Sequence, residues 1–177
     1  MKIPALLVLS LVLCACNTAP TNDADRADLA ADVQAAITAF KNADTAVNRF
    51  FESAHGYAVF PSVGKAGIGL GGATGRGEVF EGSSKVGYSR LSQATIGFQL
   101  GAQTYREIIF FRDEQAFESF IGGNFEFSAQ ASAVLLTEGA AATADYEGGV
   151  AVFTLPTGGA MYEASVGGQK FDFDRIR

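Results

Sequence analysis

The chain reads as an α+β domain. A long N-terminal amphipathic helix packs on a glycine-rich, strongly bent antiparallel sheet or barrel, and a short second helix follows. Three observations carry that reading. An apolar seam at helical spacing occupies residues 23–54, twelve of the 21 glycines fall within the strand-like stretch His55–Gln103, and short alternating segments with glycine junctions fill the rest.

Before the helix, Lys2 precedes an apolar run from Ile3 to Ala15 that is too short to span a bilayer as a helix but suits a secretory signal. It ends in Leu13-Cys14-Ala15-Cys16, which resembles a bacterial lipobox cleaved after Ala15 and acylated on Cys16. More than one acyl chain would make the anchor stable rather than marginal. The division expected is residues 1–15 as signal, 16–22 as lipidated tether and 23–177 as one folded domain. Asn17 after the cysteine, rather than Asp, resembles the sorting signal for the outer membrane, facing the periplasm. Cys14 leaves with the signal, so the folded domain has no thiol for disulfides, thiol catalysis or Cys-based metal binding.

Asp23–Ala54 carries Leu29, Val33, Ala36, Phe40, Ala43, Val47, Phe50 and Ala54 at alternating spacings of four and three. Asn22 is a plausible N-cap and Gly56 closes the far end, with a break foreseen, if anywhere, near Asn42-Ala43-Asp44. Its charges are six acidic against three basic, whereas a helix drawn to anionic lipid is rich in Lys and Arg. Packing on the glycine-lined sheet is the leading expectation, ahead of helix pairing or lying in a membrane surface.

Gly67, Gly69 and Gly71 recur at every second position, stripping one face of a strand while Ala66, Ile68 and Leu70 occupy the other. The bare face invites close approach of a helix, a sheet or a ligand. Gly67-Ile68-Gly69-Leu70-Gly71-Gly72 also satisfies the dinucleotide fingerprint, but no amphipathic helix follows it and no G-K-[ST] exists, so nucleotide binding is set aside. Val86–Ser89, Ala94–Gly101 and Glu107–Phe111 read as strands, the last covered on both faces. Asp113 caps a short helix bearing Phe117, Phe120 and Ile121 that Gly122-Gly123 stops. Phe125–Ala133 alternates, with its Phe and Ala residues inward. Thr137–Gly149 reads as a loop, and Val150–Leu155, Ala160–Val166 and Gln169–Phe173 as a meander joined at Pro156-Thr157-Gly158-Gly159 and Gly167-Gly168.

Chemistry is sparse. The one histidine, His55, sits at the helix end, where a cation meets the helix dipole. No G-x-S-x-G elbow occurs, and Asp172 and Asp174, alternating with Phe171 and Phe173, read as the wet face of an end strand. No enzyme activity, cofactor or metal is expected. A net charge of -6 without a basic run argues against nucleic acid.

Gly56-Tyr57-Ala58-Val59-Phe60-Pro61-Ser62-Val63, Lys65-x-Gly67, Gly71-Gly72, Gly75-x-Gly77 and Gly97-x-Gln99-x-Gly101-Ala102-Gln103 resemble the ordered signature blocks of the SYLF domain family. That resemblance implies a lipid-binding domain; eukaryotic relatives bind phosphoinositides and actin, and many bacterial relatives are envelope lipoproteins. Lys65 matches a position in the first blocks and Arg76 sits between two glycines of a later one. A charge among backbone amides suits an anion, so these two are the candidates for a lipid head-group phosphate, with surface solvation as the competing reading. The expected function is a membrane-anchored envelope lipoprotein whose domain binds lipid, an anionic phospholipid or phosphoinositide-like head group included, without catalysis. The alternative is an envelope scaffold with a protein partner and lipid only as anchor.

Overall fold

The structure, a computed structural model, describes residues 18–123, 126–127 and 133–176. The signal, Cys16 and most of the alternation at Phe125–Ala133 lie outside these residues.

Helix α1 (Asp23–Ala43) begins where Asn22 accepts a hydrogen bond from the Asp25 amide at 2.8 Å. The expected single helix to Ala54 is interrupted at Asp44, whose backbone is extended. A short polar side chain competes for backbone amides and favours a new cap over helix continuation. The Asp44 carboxylate accepts from the Ala46 amide at 3.0 Å and starts a 3-10 turn, Thr45–Val47, before α2 (Asn48–Ser53). The apolar seam survives the break: Val33, Ala36, Phe40, Val47 and Phe50 are all buried. It does not pack on glycines. Val59, Phe80, Ile108, Phe110 and Phe153 receive it, because aromatic and branched side chains supply the apolar area that a glycine face lacks.

Three long strands form the rest of the frame. β1 (Gly56–Glu81) pairs antiparallel with β2 (Ser84–Phe111), and β2 pairs antiparallel with the last long strand, at Val150–Arg175. Between them come α3 (Glu114–Ile121), the short β3 (Glu126–Phe127) and β4 (Val134–Leu135), and α4 (Ala140–Thr143), so the last strand is β5. β3 lies antiparallel to β5 at Lys170 and Gln169, and β4 lies parallel to it at Phe153 and Thr154. The five-stranded sheet among the described residues is open, with β1 at one edge, so the barrel expectation gives way to a bent sheet.

The separate strands expected between Val86 and Phe111 are pieces of β2, and the expected meander is β5 alone. Pro156-Thr157-Gly158-Gly159 and Gly167-Gly168 are not turns: pairing with β2 runs through both, with one irregularity beside Thr104 and Tyr105. Glycine and proline here bend a strand rather than end it. The Asp113 cap is present, accepting from the Ala116 amide at 3.0 Å, and Phe117 and Phe120 are buried. The expected loop at Thr137–Gly149 contains α4. Its Ala141 amide donates to Asp44 at 2.7 Å, and Arg49 donates to the carbonyls of Ala141 and Ala144. Ala133, expected inward, is exposed.

A flat strand of 26 residues would extend roughly 85 Å at 3.3 Å per residue. The ribbon instead folds over near its middle, and its two arms lie against each other. A Cβ on Gly75 would meet Val63 at 2.8 Å and the Ser62 carbonyl at 2.9 Å, and one on Gly77 would run into the Val59 carbonyl and the Phe60 ring. At the far end the Gly82 amide donates to the His55 carbonyl at 2.9 Å. One core lies inside the fold, around Phe60, Leu91, Ile109, Phe111 and Phe171, and α3 adds Phe117 and Phe120. The second lies under α1, α2 and α4.

Close backbone approach therefore occurs, but not at Gly69, the middle of the alternating glycines. A Cβ on Gly69 meets nothing within 4 Å; glycine stands there because φ is 72°. Among the described residues the tightly packed glycines are Gly56, Gly75, Gly77, Gly87 and Gly159. Gly77→Val should cost about 3 kcal/mol in denaturant unfolding, since neither the Val59 carbonyl nor the Phe60 ring has room to withdraw. Gly64→Ala, at a position facing open space, should stay within about 0.5 kcal/mol of the parent. Equal losses from both would contradict the folded ribbon.

Candidate functional site

The fold-over is built from a bulge and three glycines. Between Ile68 and Leu70 the register on β2 jumps from Leu100 to Ile96, and Gly69, Gly97 and Gly101 all have positive φ. The extra residues turn the ribbon at that level. Ile68 pairs across the strands with Leu100 and Leu70 with Ile96, so four aliphatic side chains gather at the bend. They are exposed to 81%, 56%, 69% and 66% respectively, whereas Phe60, Phe110, Phe111, Phe153 and Phe171 of the same sheet are buried. The sequence placed Ile68 and Leu70 on one strand face; it did not reveal that they are left exposed among the described residues.

Next to the bend lies a cleft of about 590 Å³. β1 lines it twice, with Gly64-Lys65-Ala66 before the bend and Gly72-Ala73-Thr74 after it. Ala102-Gln103-Thr104 of β2 and Gly158-Gly159 of β5 complete the wall. The lining is mostly apolar or backbone, and Lys65 is its one charged residue.

The two expected head-group ligands part company here. Lys65 follows inward-facing Val63 by two residues, lines the cleft and exerts its charge on the buried Glu107. Arg76 stands between Gly75 and Gly77, whose missing side chains would point into the ribbon, so strand alternation turns Arg76 to the opposite face. There it is in register with Arg90, which in turn pairs with Asp172. The fold does not bring Lys65 and Arg76 together.

A polar contact missed in the sequence crosses the inside of the fold. Glu107, on the arm that pairs with Phe60, accepts a hydrogen bond from the Gln169 side-chain amide at 3.1 Å; Gln169 belongs to the other arm, opposite Gln93. Both are buried, and the second oxygen of each side chain has no hydrogen-bond partner among the described residues. Burial pushes the Glu107 carboxyl up to about 7, against the opposing effects of the Gln169 hydrogen bond and the Lys65 charge. A lone acid ahead of Ile108-Ile109-Phe110-Phe111 was the available signal, since a strand covered on both faces must bury it.

Elsewhere His55 lies 3.3 Å from the Glu81 carboxylate and beside the Phe117 ring. Asp172 and Asp174 are exposed, as the wet-face reading requires. Among the described residues no group of three or more His, Cys, Asp or Glu side chains is placed to hold a metal, and no helix is long and apolar enough to cross a membrane.

The Glu107 environment has a measurable consequence. Between the ordinary carboxyl value of 4.5 and about 7 the native state holds a proton that the unfolded chain has released. The stability associated with neutral Glu107 is fully present below 4.5 and is lost as pH rises through 7. The loss amounts to about 3 kcal/mol. Glu107→Gln should flatten that part of the stability-versus-pH curve; denaturant titrations at several pH values that show the same slope for parent and variant would refute the assignment.

Residues 92–175 match the family model described as Ysc84, Las17-binding protein actin regulator. This span holds most of β2, α3 and β5, including the glycine block at 97–103, while the blocks from Gly56 to Gly77 precede it. The chain is also similar to Beta cell expansion factor A of Aeromonas veronii, at 29% identity over 135 residues, which is 76% of this chain and 51% of that one. It thus spans about half the length of the curated relative it matches. The resemblance to the SYLF family read in the glycine blocks is thus met by a Ysc84 (SYLF) model match over residues 92–175 and by similarity to this relative.

Proposed function

We propose that this chain is a non-catalytic lipid-binding module that touches membrane lipid with the bend of its folded ribbon. The observation that carries the reading is the group of four exposed aliphatic side chains, Ile68, Leu70, Ile96 and Leu100; among the described residues the other large apolar side chains are covered except Leu135 and Ile176. Exposed apolar groups gathered in this way mark interaction surfaces. Exposed Ile and Leu suit hydrocarbon better than a protein hot spot, which favours Trp, Tyr and Arg. Lys65 beside the bend adds a cation for anionic head groups, and the half-buried Arg76, on the other face, has no part in this reading. Cys16 supplies the membrane anchor in this proposal, in an envelope setting consistent with the leader-like run before it and with Asn17 after it.

A protein-binding role is the second reading. The description of the matched family, a Las17-binding protein actin regulator, favours it, and in that case lipid serves only as the anchor.

Two measurements test the proposal. Replacing Ile68 and Leu70 together with Ser should weaken sedimentation of the protein with phospholipid vesicles by at least about tenfold, because burying such a side chain is worth about 1.5–3 kcal/mol. The melting temperature should hardly change, since both side chains are exposed in the native state. Undiminished vesicle binding by the double variant would move the assignment to the protein-partner reading. Separately, Cys16→Ser should leave the precursor without acyl chains by mass spectrometry while Cys14→Ser is acylated normally. Acylation of the Cys16→Ser chain would remove the anchor from the proposal.

A further inference from the structure

The cleft beside the bend has a size and chemistry that a surface-docking role does not require. At about 590 Å³ it falls within the range of roughly 300–1,000 Å³ typical of small-ligand sites. Its wall is made by small residues of three strands, so the space exists because glycine, alanine and threonine stand where larger side chains would fill it. At Gly64 the opening is explicit: a Cβ there would meet no atom within 4 Å. Mostly apolar clefts of this size with a single charged group suit amphiphilic ligands. A single cation, Lys65, sits in the lining of a chain whose net charge is -6, so the one electrostatic preference of the cleft is for an anion. The two β1 segments that line it end within two residues of the exposed Ile68 and Leu70, so the aliphatic bend and the cleft are neighbours along the same strand.

We propose that this cleft is a binding site for one single-chain anionic amphiphile, its acyl chain lying along the glycine- and alanine-lined wall and its carboxylate or phosphate head at Lys65. The bend then does more than rest on a membrane: it lets such a molecule pass from lipid into the protein without crossing water. This rests on the lipid reading above but makes a separate claim, since a protein can adhere to vesicles without taking up any monomeric lipid. It also assigns Lys65 a task that needs no help from Arg76, in keeping with their places on opposite faces of β1.

The test uses the full-length chain with monomeric palmitate, palmitoyl lysophosphatidic acid and methyl palmitate as probes, with vesicle sedimentation alongside. One palmitate or lysophosphatidic acid molecule per chain is the expected result, and the stronger of the two identifies the head group. Lys65→Met should weaken both anions by about tenfold and leave methyl palmitate unchanged. Gly64→Phe and Ala102→Phe, two independent ways of filling the cleft, should each abolish uptake in variants that melt like the parent. Replacement of Ile68 and Leu70 with Ser should reduce vesicle sedimentation while equilibrium binding of monomeric palmitate persists. A parent that sediments with vesicles but binds no monomer would overturn the cleft proposal and leave surface docking standing. So would uptake that survives both folded cleft-filling variants. Failure of the parent in both assays would remove both readings.

Discussion

The contact of the ribbon with itself is the constraint from which the rest of this structure follows. Three paired strands longer than any ordinary globular strand stay compact only if they fold over, and they fold only if the touching faces have nowhere to clash. Gly75 and Gly77 provide that clearance against Ser62, Val63, Val59 and Phe60. Once the arms are together, Phe60, Leu91, Phe111 and Phe171 share one interior, and α3 inserts Phe117 and Phe120 into it. The other faces of the same strands are left for α1 and α2. The bend is thus a product of interior packing, and its aliphatic residues lie outside the buried core.

Polar contacts settle how the covering parts sit on that ribbon. Asp44 ends α1, caps the next turn and reaches across to the Ala141 amide, while Arg49 takes the neighbouring carbonyls and lies over the Phe50 ring. A charged carboxylate receiving backbone amides is among the stronger hydrogen-bonding arrangements. The helix interruption is therefore a junction. It lets a single apolar seam follow a curved surface and fastens α4 beside it. Glu107 and Gln169 play a related part inside the fold, where they join the two arms, but each keeps an oxygen without a hydrogen-bond partner among the described residues.

The helical seam, both N-caps and the short aromatic helix could be read locally, because each depends on spacing or on a side chain a few residues from the amide it serves. Strand locations were legible and strand boundaries were not. Glycine-proline clusters signal turns when judged by neighbours in sequence, yet at Pro156 and Gly158-Gly159 the partner strand continues the pairing and converts the break into a bend. The alternating glycines at Gly67, Gly69 and Gly71 drew attention to the right place for the wrong reason, since that stretch is the exposed bend rather than the packed face. Lys65 was identifiable as a cation among glycines. Its separation from Arg76 depends on which face each residue takes after the bulge, which no local pattern reports. Glu107 was concealed in a hydrophobic run because its partner lies on another strand.

The position of β2 bears on how the chain reaches this state. It is the inner strand of the ribbon, hydrogen-bonded along one edge to β1 through the short connection at Gly82-Ser83 and along the other to β5, which begins only after residues 112–149. Local hairpins form early, whereas pairing with a distant segment waits on loop closure. A nascent β1–β2 hairpin would consequently present a long row of unsatisfied amides and carbonyls to its surroundings until the last strand is synthesised and docks. Such edges recruit strands from other molecules. Folding of this domain is a competition between β5 of the same chain and the strands of its neighbours, so assembly should become more error-prone as the concentration of unfinished chains rises.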